Sequence, residues 1–311
     1  MQTPRSSEQT ANESQDARIT MVSGKGGVGK SAVAAAYACR YAGEGKRTLL
    51  VEFAEESFYR RFFSEGAIGF EPVSLGPNLD VASWDSESCL RDYVVHLVKL
   101  ERIYKLFFEN RVMSRFIEVA PGLRELSLLG KLTSGIRKVG PKLDYDKIVV
   151  DSFSTGHTLS LLRAPSSLNQ AIQKGPMGVQ SRDITTLIRD PKAFEYKIVS
   201  LPEDLPVSEA IEFHSALSET TKQNPALLMN KWLPSEKASA QAIEIEKSGH
   251  ELSVFAQYVV QKNVIQTQAM NRLKKINRNI PSVPLVLEKL RGLELANKMA
   301  ESLVSIERGV D

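Results

Sequence analysis

The chain has 311 residues, of which 42% are hydrophobic and 25% charged, a composition typical of a globular protein with a substantial core. Its 40 basic and 37 acidic residues give a net charge of only +3, which argues against a dedicated nucleic-acid-binding protein. The sequence contains no run of about 18 apolar residues that would predict a transmembrane segment. Its two cysteines, Cys39 and Cys89, predict neither a disulfide framework nor a structural zinc site.

The first 17 residues are polar and contain no apolar signal core, so they predict a disordered tail. Together with the unpaired cysteines, this tail predicts a cytoplasmic protein. From residue 18 to residue 308, short apolar runs alternate with helical stretches. That alternation predicts an α/β domain in which helices flank a parallel sheet.

The predicted strands share the continuous Val, Ile and Leu runs of buried parallel strands. They lie at 18–23, 47–53, 79–85, 146–151, 195–202, 224–230 and 280–286. A first helix is predicted from Lys30 to about Ala42, polar helices over 235–276, and a closing helix over 288–308. Apolar residues at helical spacing predict a helical insertion subdomain at about 86–140 and 159–190.

The segment between the first strand and the first helix matches the phosphate-binding pattern G-x-x-x-x-G-K-[ST]. This glycine loop consists of Gly24, Lys25, Gly26, Gly27, Val28, Gly29, Lys30 and Ser31. Its glycines allow backbone N–H groups to surround phosphate oxygens at the positive end of the helix that follows. The pattern predicts that Lys30 reaches the β- and γ-phosphates and that Ser31 ligates Mg²⁺.

The second lysine of the loop, Lys25, makes it similar to a narrower group of sequences. The string K-G-G-V-G-K-S resembles the deviant Walker A motif of the P-loop ATPases that include ParA, MinD, ArsA and the ATPases that target tail-anchored proteins. The resemblance implies a homodimer that binds ATP or ADP. It also implies that Lys25 reaches the nucleotide of the partner subunit, where its charge acts on the transferred phosphate.

The segment 145–165 indicates which branch of that group the chain resembles. Asp151 ends an apolar run, where a carboxylate is placed to organise Mg²⁺. The following S-T-G-H-T-L-S-L-L resembles the switch segment of the branch that contains ArsA and the tail-anchored-targeting ATPases. Asn230 in "LLMNKWLP" matches the asparagine that contacts adenine in that branch, and P-E-x-x-x-x-x-E at 202–209 is also similar.

One departure from the family concerns hydrolysis. The family places an Asp-Pro after the second strand, whose aspartate orients the attacking water, but this chain has Ala54 there. Glu52 or Glu55 is predicted to replace that carboxylate, because either side chain can polarise a water within hydrogen-bond reach. Without such a replacement, hydrolysis would be weak, and the alternative is a nucleotide sensor that does not hydrolyse ATP.

A second departure concerns the cargo. No cysteine follows Asn230, and arsenite and zinc require soft thiolate ligands, so neither an arsenite site nor a shared zinc site is expected. The resemblance instead implies a protein or hydrophobic-helix client bound in a groove of the helical insertion. The candidate lining residues are Leu106, Phe107, Met113, Phe116, Ile117, Met177, Ile184, Leu187 and Ile188. A ParA/MinD-type positioning ATPase is a further alternative, but the C-terminal helix is not basic, as capture by an anionic membrane would require.

Overall fold

The structure is a computed structural model, and it describes residues 17–97, 122–171, 174–233, 236–247 and 253–307. Residues 1–16 of the predicted tail therefore lie outside the described residues. Ala17, the last residue of that predicted tail, is buried, and its carbonyl accepts a hydrogen bond from the Lys147 ammonium. Ala17 therefore packs with the domain, and the limits of the tail remain a prediction.

The described residues form one eight-stranded sheet with the order β3-β4-β2-β5-β1-β6-β7-β8. The strands are β1 (Ile19–Gly24), β2 (Thr48–Glu52), β3 (Val73–Gly76), β4 (Leu79–Ser83), β5 (Lys147–Ser154), β6 (Phe194–Ser200), β7 (Ala226–Trp232) and β8 (Ser282–Pro284). All neighbouring pairs are parallel except β3 and β4. The predicted α/β fold with a parallel sheet is confirmed.

Strand β3 was not predicted, because Val73–Gly76 is half-buried and lacks a continuous apolar run. It forms a hairpin with β4, in which Asn78 adopts a positive φ of 60°. The predicted ends of other strands are also shifted. The clearest case is β5, which continues past Asp151 to Ser154.

Eleven helices are described. They are α1 (Lys30–Gly43), α2 (Tyr59–Phe62), α3 (Ser86–Leu97), α4 (Leu123–Leu132), α5 (Ser134–Arg137), α6 (Thr155–Ala171), α7 (Gly175–Ile188), α8 (Asp204–Thr221), α9 (Glu236–Lys247), α10 (Ser253–Leu273) and α11 (Gly292–Glu307). None of them has the length and apolar character required to cross a bilayer, as far as the chain is described.

The helices cover both faces of the sheet. Helices α1 and α11 pack together on one face, where the alanines of α1 permit close approach to the strands. Helices α4, α6, α7 and α8 contribute to the larger hydrophobic cluster on the other face. The sheet is therefore the middle layer of three, and its buried strands are apolar on both sides.

Part of the predicted client-binding groove is wrong. Ile184 and Ile188 of α7 are 0% and 2% exposed and belong to the core cluster, so they cannot line an open groove. Their helical spacing correctly indicated an apolar face, but that face packs on the sheet. Met177 and Leu187 are only partly buried, and the candidates between 106 and 117 lie outside the described residues. The limits of the insertion remain a prediction.

The burial of α7 predicts the effect of an Ile184→Ala substitution. Removal of a fully buried isoleucine side chain leaves a cavity and should lower the free energy of unfolding by about 2–5 kcal/mol. Ile265→Ala, at a position that is 37% exposed on α10, is the matched control and should cost less than about 1 kcal/mol. Urea unfolding of both variants measures the difference, and equal losses would show that α7 does not belong to the core.

Candidate functional site

The glycine loop lies at the carboxyl edge of the sheet, between the end of β1 and the start of α1. A Cβ atom on Gly24 would lie 2.3 Å from the carbonyl oxygen of Val199, so only glycine fits there. Gly27 and Gly29 have φ values of 85° and 89°, which favour glycine. A Cβ atom on Gly26 or Gly27 would meet nothing within 4 Å, so the outer side of the loop is open. The loop therefore has room for an anion at the N-terminus of a 14-residue helix.

The two lysines of the loop have different partners. The Lys30 ammonium donates a hydrogen bond to the carbonyl of Lys25 at 3.1 Å and so spans the loop. Burial lowers the pKa of Lys30, and the nearby Asp151 carboxylate opposes that effect. The Lys25 ammonium forms an ion pair with Glu209 of α8 at 2.5 Å, and each side chain is about one third exposed. Lys25 is thus held within its own chain.

Asp151 lies in β5 beside the glycine loop and is only 5% exposed. Burial raises the pKa of Asp151, while Ser31, Lys30 and Tyr59 oppose that shift. The Tyr59 hydroxyl lies 3.2 Å from the Asp151 Oδ2 atom. A serine hydroxyl and a buried carboxylate are hard oxygen ligands of the kind that Mg²⁺ prefers, so this pair fits the predicted metal. The structure brings Ser31, Lys30 and Asp151 together, as the sequence predicts.

Glu52 lies at the end of β2, directly beside Asp151 in the register of β2 and β5. Its carboxylate accepts hydrogen bonds at 2.9 Å from the Ser57 hydroxyl and from the Phe58 backbone N–H. Burial raises the pKa of Glu52 to about 7, the Asp151 charge adds to the shift, and the bonds from Ser57 and Phe58 oppose it. Both of these bonds fall on the Oε2 atom, and Oε1 accepts only a longer bond of 3.2 Å from the same Phe58 N–H. This predicted catalytic group therefore closes the loop that follows β2.

Ala54 lies in that same loop, where its carbonyl accepts a hydrogen bond from the Ser83 hydroxyl. Glu55 is exposed on the surface of the loop. The replacement of the water-orienting aspartate by Glu52 or Glu55 remains a prediction. Of the two, only Glu52 lies beside Asp151.

Asn230 lies at the back of the glycine loop, on β7. Its side-chain Nδ2 atom donates a hydrogen bond to the Val28 carbonyl at 2.9 Å, and its side-chain Oδ1 atom accepts one from the Lys231 N–H at 2.9 Å. A Cβ atom on Gly29 would lie 2.4 Å from the Asn230 nitrogen. The amide thus supports the loop directly. Its contact with adenine remains a prediction.

The switch-like segment that follows Asp151 is tied to β1. The Thr158 hydroxyl contacts the hydroxyls of Ser23 and Ser152 at 3.0 Å and donates to the Phe153 carbonyl at 2.8 Å. His157 is exposed and packs edge-on against the Phe153 ring. Thr158, the second threonine of the T-G-H-T string, therefore connects the ends of β5 and β1 beside the glycine loop.

Two residues of the site were missed by the sequence analysis. Tyr59 belongs to the string "SFYRRFF", which indicates only a short apolar helix, although a tyrosine among phenylalanines suggests a hydroxyl with a partner. Glu209 is the last residue of the P-E-x-x-x-x-x-E pattern, but its pairing with Lys25 spans 184 residues. No local pattern predicts either contact.

No group of three His, Cys, Asp or Glu side chains that could hold a metal ion occurs in the described part of the chain. Both cysteines are free and buried, and burial raises the pKa of Cys39 to about 11 and that of Cys89 to about 12. The absence of zinc and arsenite sites remains a prediction.

Comparison with known proteins supports the family resemblance that the sequence motifs indicate. The family model described as anion-transporting ATPase matches residues 17–182. The chain is 28% identical over 230 residues to the ATPase BagA of Mycobacterium tuberculosis, a match that covers 70% of this chain and 66% of that protein. It is 26% identical over 238 residues to the arsenical pump-driving ATPase of Acidiphilium multivorum, covering 71% of this chain and 40% of the relative. The match to an arsenical pump-driving ATPase of Escherichia coli is 26% over 233 residues and covers 70% and 40% of the two chains.

The chain thus covers just under two thirds of BagA and two fifths of the two pump-driving ATPases.

The buried Glu52 predicts how stability depends on pH. The folded chain retains the Glu52 proton up to a pH of about 7, whereas the ordinary pKa is 4.5, so the folded state binds more protons in that interval. The free energy of unfolding should therefore fall as the pH rises from about 4.5 to about 7. Glu52→Gln should remove a part of that fall on the order of 2 kcal/mol, after allowance for solvent screening.

Urea unfolding over this pH range measures the effect. Glu55→Gln, at an exposed position of the same loop, is the matched control and should retain the wild-type profile. A Glu52→Gln profile parallel to that of the wild type would contradict the prediction.

Proposed function

The chain belongs to the anion-transporting ATPase family, and from that premise we propose that it binds ATP with Mg²⁺, hydrolyses it and acts as a homodimeric switch. The observation that supports this most directly is the open glycine loop at the N-terminus of α1, with Lys30, Ser31 and Asp151 gathered beside it. A loop of open backbone N–H groups suits the phosphates of a nucleotide.

Each of these side chains has a distinct task in the proposed reaction. Lys30 provides positive charge for the β- and γ-phosphates, and its present bond to the Lys25 carbonyl places it across the mouth of the loop. Ser31 and Asp151 would hold the magnesium ion. That ion, when bound, neutralises charge on the phosphates. Asn230 supports the loop from behind and is proposed to extend toward the adenine end of the nucleotide.

Lys25 is proposed to act on the nucleotide of the partner subunit. Its charge is already balanced by Glu209 within the same chain, so it contributes little to the open face of its own loop. For Lys25 to act on the partner's nucleotide, the bond to Glu209 must be released. The ion pair is partly exposed and therefore weak enough to exchange for phosphate oxygens.

The proposed client is a protein or a hydrophobic helix. Two of the relatives are named for an arsenical pump. In this chain, however, both thiols are buried and have raised pKa values, whereas arsenite requires exposed soft thiolates. The buried, unpaired thiols also support the proposed cytoplasmic location.

A nucleotide sensor without hydrolysis is the second candidate function. The observation that favours it is the engagement of Glu52, whose Oε2 atom accepts hydrogen bonds from the Ser57 hydroxyl and the Phe58 N–H and so closes its own loop. With Ala54 at the family's aspartate position, the sensor would bind ATP and dimerise but would release no phosphate.

Lys25→Ala tests the proposed switch. Light-scattering mass and phosphate release are measured on the same samples with ATP, with ADP and without nucleotide. The wild type should form an ATP-dependent dimer and release phosphate, while Lys25→Ala should still bind nucleotide but lose at least about tenfold in turnover, as for other charge donors to phosphoryl transfer. Dimerisation without phosphate release in the wild type would favour the sensor. Unchanged turnover in Lys25→Ala would contradict the role in trans.

Glu209→Gln tests whether the ion pair restrains Lys25. Removal of the Glu209 charge should free the ammonium and increase turnover at low protein concentration by about two- to fivefold, because a partly exposed pair contributes up to about 1 kcal/mol. Glu212→Gln, at an exposed position of the same helix, is the matched control and should leave turnover unchanged. A loss of turnover in Glu209→Gln equal to that of Lys25→Ala would show that Glu209 assists Lys25 and does not restrain it.

A further inference from the structure

Tyr59 places a hydroxyl group between the two elements that carry the predicted magnesium ligands. Its side chain is 0% exposed. The hydroxyl lies 3.0 Å from the backbone carbonyl of Ser31 in α1 and 3.2 Å from the Asp151 Oδ2 atom in β5. A phenol has one proton to donate, so the two acceptors share it.

The ring of Tyr59 is fixed by its neighbours. It stacks on Phe63 and meets Phe58 and Phe62 edge-on, with centroid distances of 5.4 to 6.0 Å. Its backbone N–H donates to the Ser57 hydroxyl, which in turn donates to Glu52. The hydroxyl therefore cannot turn away to another partner without movement of the whole loop that follows β2.

The hydroxyl of Tyr59 remains a donor. A phenol carries an O–H proton that it can donate, whereas an ionised carboxylate can only accept. A donor of this kind orients a carboxylate and favours its ionised form, which is the form that binds a metal ion.

We propose that Tyr59 is a positioning residue that orients Asp151 for Mg²⁺ and connects the metal site to the loop that follows β2. This inference rests on the proposed binding of ATP with Mg²⁺. If the hydroxyl served only to satisfy its own hydrogen bond, the Ser31 carbonyl would be sufficient. The second acceptor, a buried carboxylate, is what gives Tyr59 a role in the site.

Tyr59→Phe removes the hydroxyl and retains the ring. The measurement is ATP binding, first in EDTA and then as a function of added Mg²⁺. In Tyr59→Phe, the Mg²⁺ concentration for half-maximal gain in ATP affinity should rise about tenfold, as is typical when a partner of a metal ligand is lost. Binding in EDTA should be unchanged, and it also reports the folded fraction of each sample.

Tyr196→Phe is the matched control. Tyr196 is likewise buried, and its hydroxyl donates to the Ile188 carbonyl at 2.8 Å in another part of the core. This variant should retain the wild-type Mg²⁺ dependence, even if it melts at a lower temperature. If the half-maximal Mg²⁺ concentration of Tyr59→Phe lies within about twofold of the values for the wild type and for Tyr196→Phe, the inference is overturned.

Hydrogen exchange of the wild type provides a second measurement that does not depend on a variant. Residues 57–63 should exchange more slowly with ATP and Mg²⁺ than with ATP in EDTA, because Tyr59 contacts the metal ligand. Equal exchange would contradict the role of Tyr59 but would leave the proposed function standing. If the wild type gained no ATP affinity from Mg²⁺ at all, the proposed function would fail, and the role of Tyr59 would fail with it.

Discussion

The architecture of the site depends on one buried negative charge, the Asp151 carboxylate. A charge removed from water is strongly destabilising unless it is neutralised or receives hydrogen bonds. Here Lys30, Ser31 and Tyr59 surround it, and they come from the glycine loop, the first turn of α1 and the start of α2. The order β2-β5-β1 at the centre of the sheet is what brings these elements to one edge.

The loop after β2 differs most from the expectation that the family resemblance provides. The resemblance implies an aspartate in this loop that orients an attacking water. In this chain Glu52 closes the segment onto Ser57 and Phe58, and Tyr59 anchors it against Asp151. These contacts tie the loop to the floor of the site, an arrangement that fits either of the two proposed functions, a weak ATPase or a sensor.

The features that the sequence predicts correctly are local ones. The glycine loop is a contiguous string with a strand before it and a helix after it, and Asp151 follows an apolar run. Strand β3 was missed because it is short and half-buried, and Ile184 and Ile188 were misplaced because periodicity identifies an apolar face without identifying what covers it. The contacts of Tyr59 with Asp151 and of Lys25 with Glu209 join residues 92 and 184 positions apart, so only the assembled sheet reveals them.

The ion pair between Lys25 and Glu209 makes the availability of the Lys25 ammonium sensitive to the salt concentration. Both side chains are about one third exposed, so dissolved ions reach them and weaken their attraction. The screening length is about 8 Å at physiological ionic strength and shrinks as salt rises. The fraction of chains with an unrestrained lysine therefore depends on ionic strength. In the proposed switch, the release of Lys25 toward a partner subunit would therefore depend partly on the electrolyte around the protein.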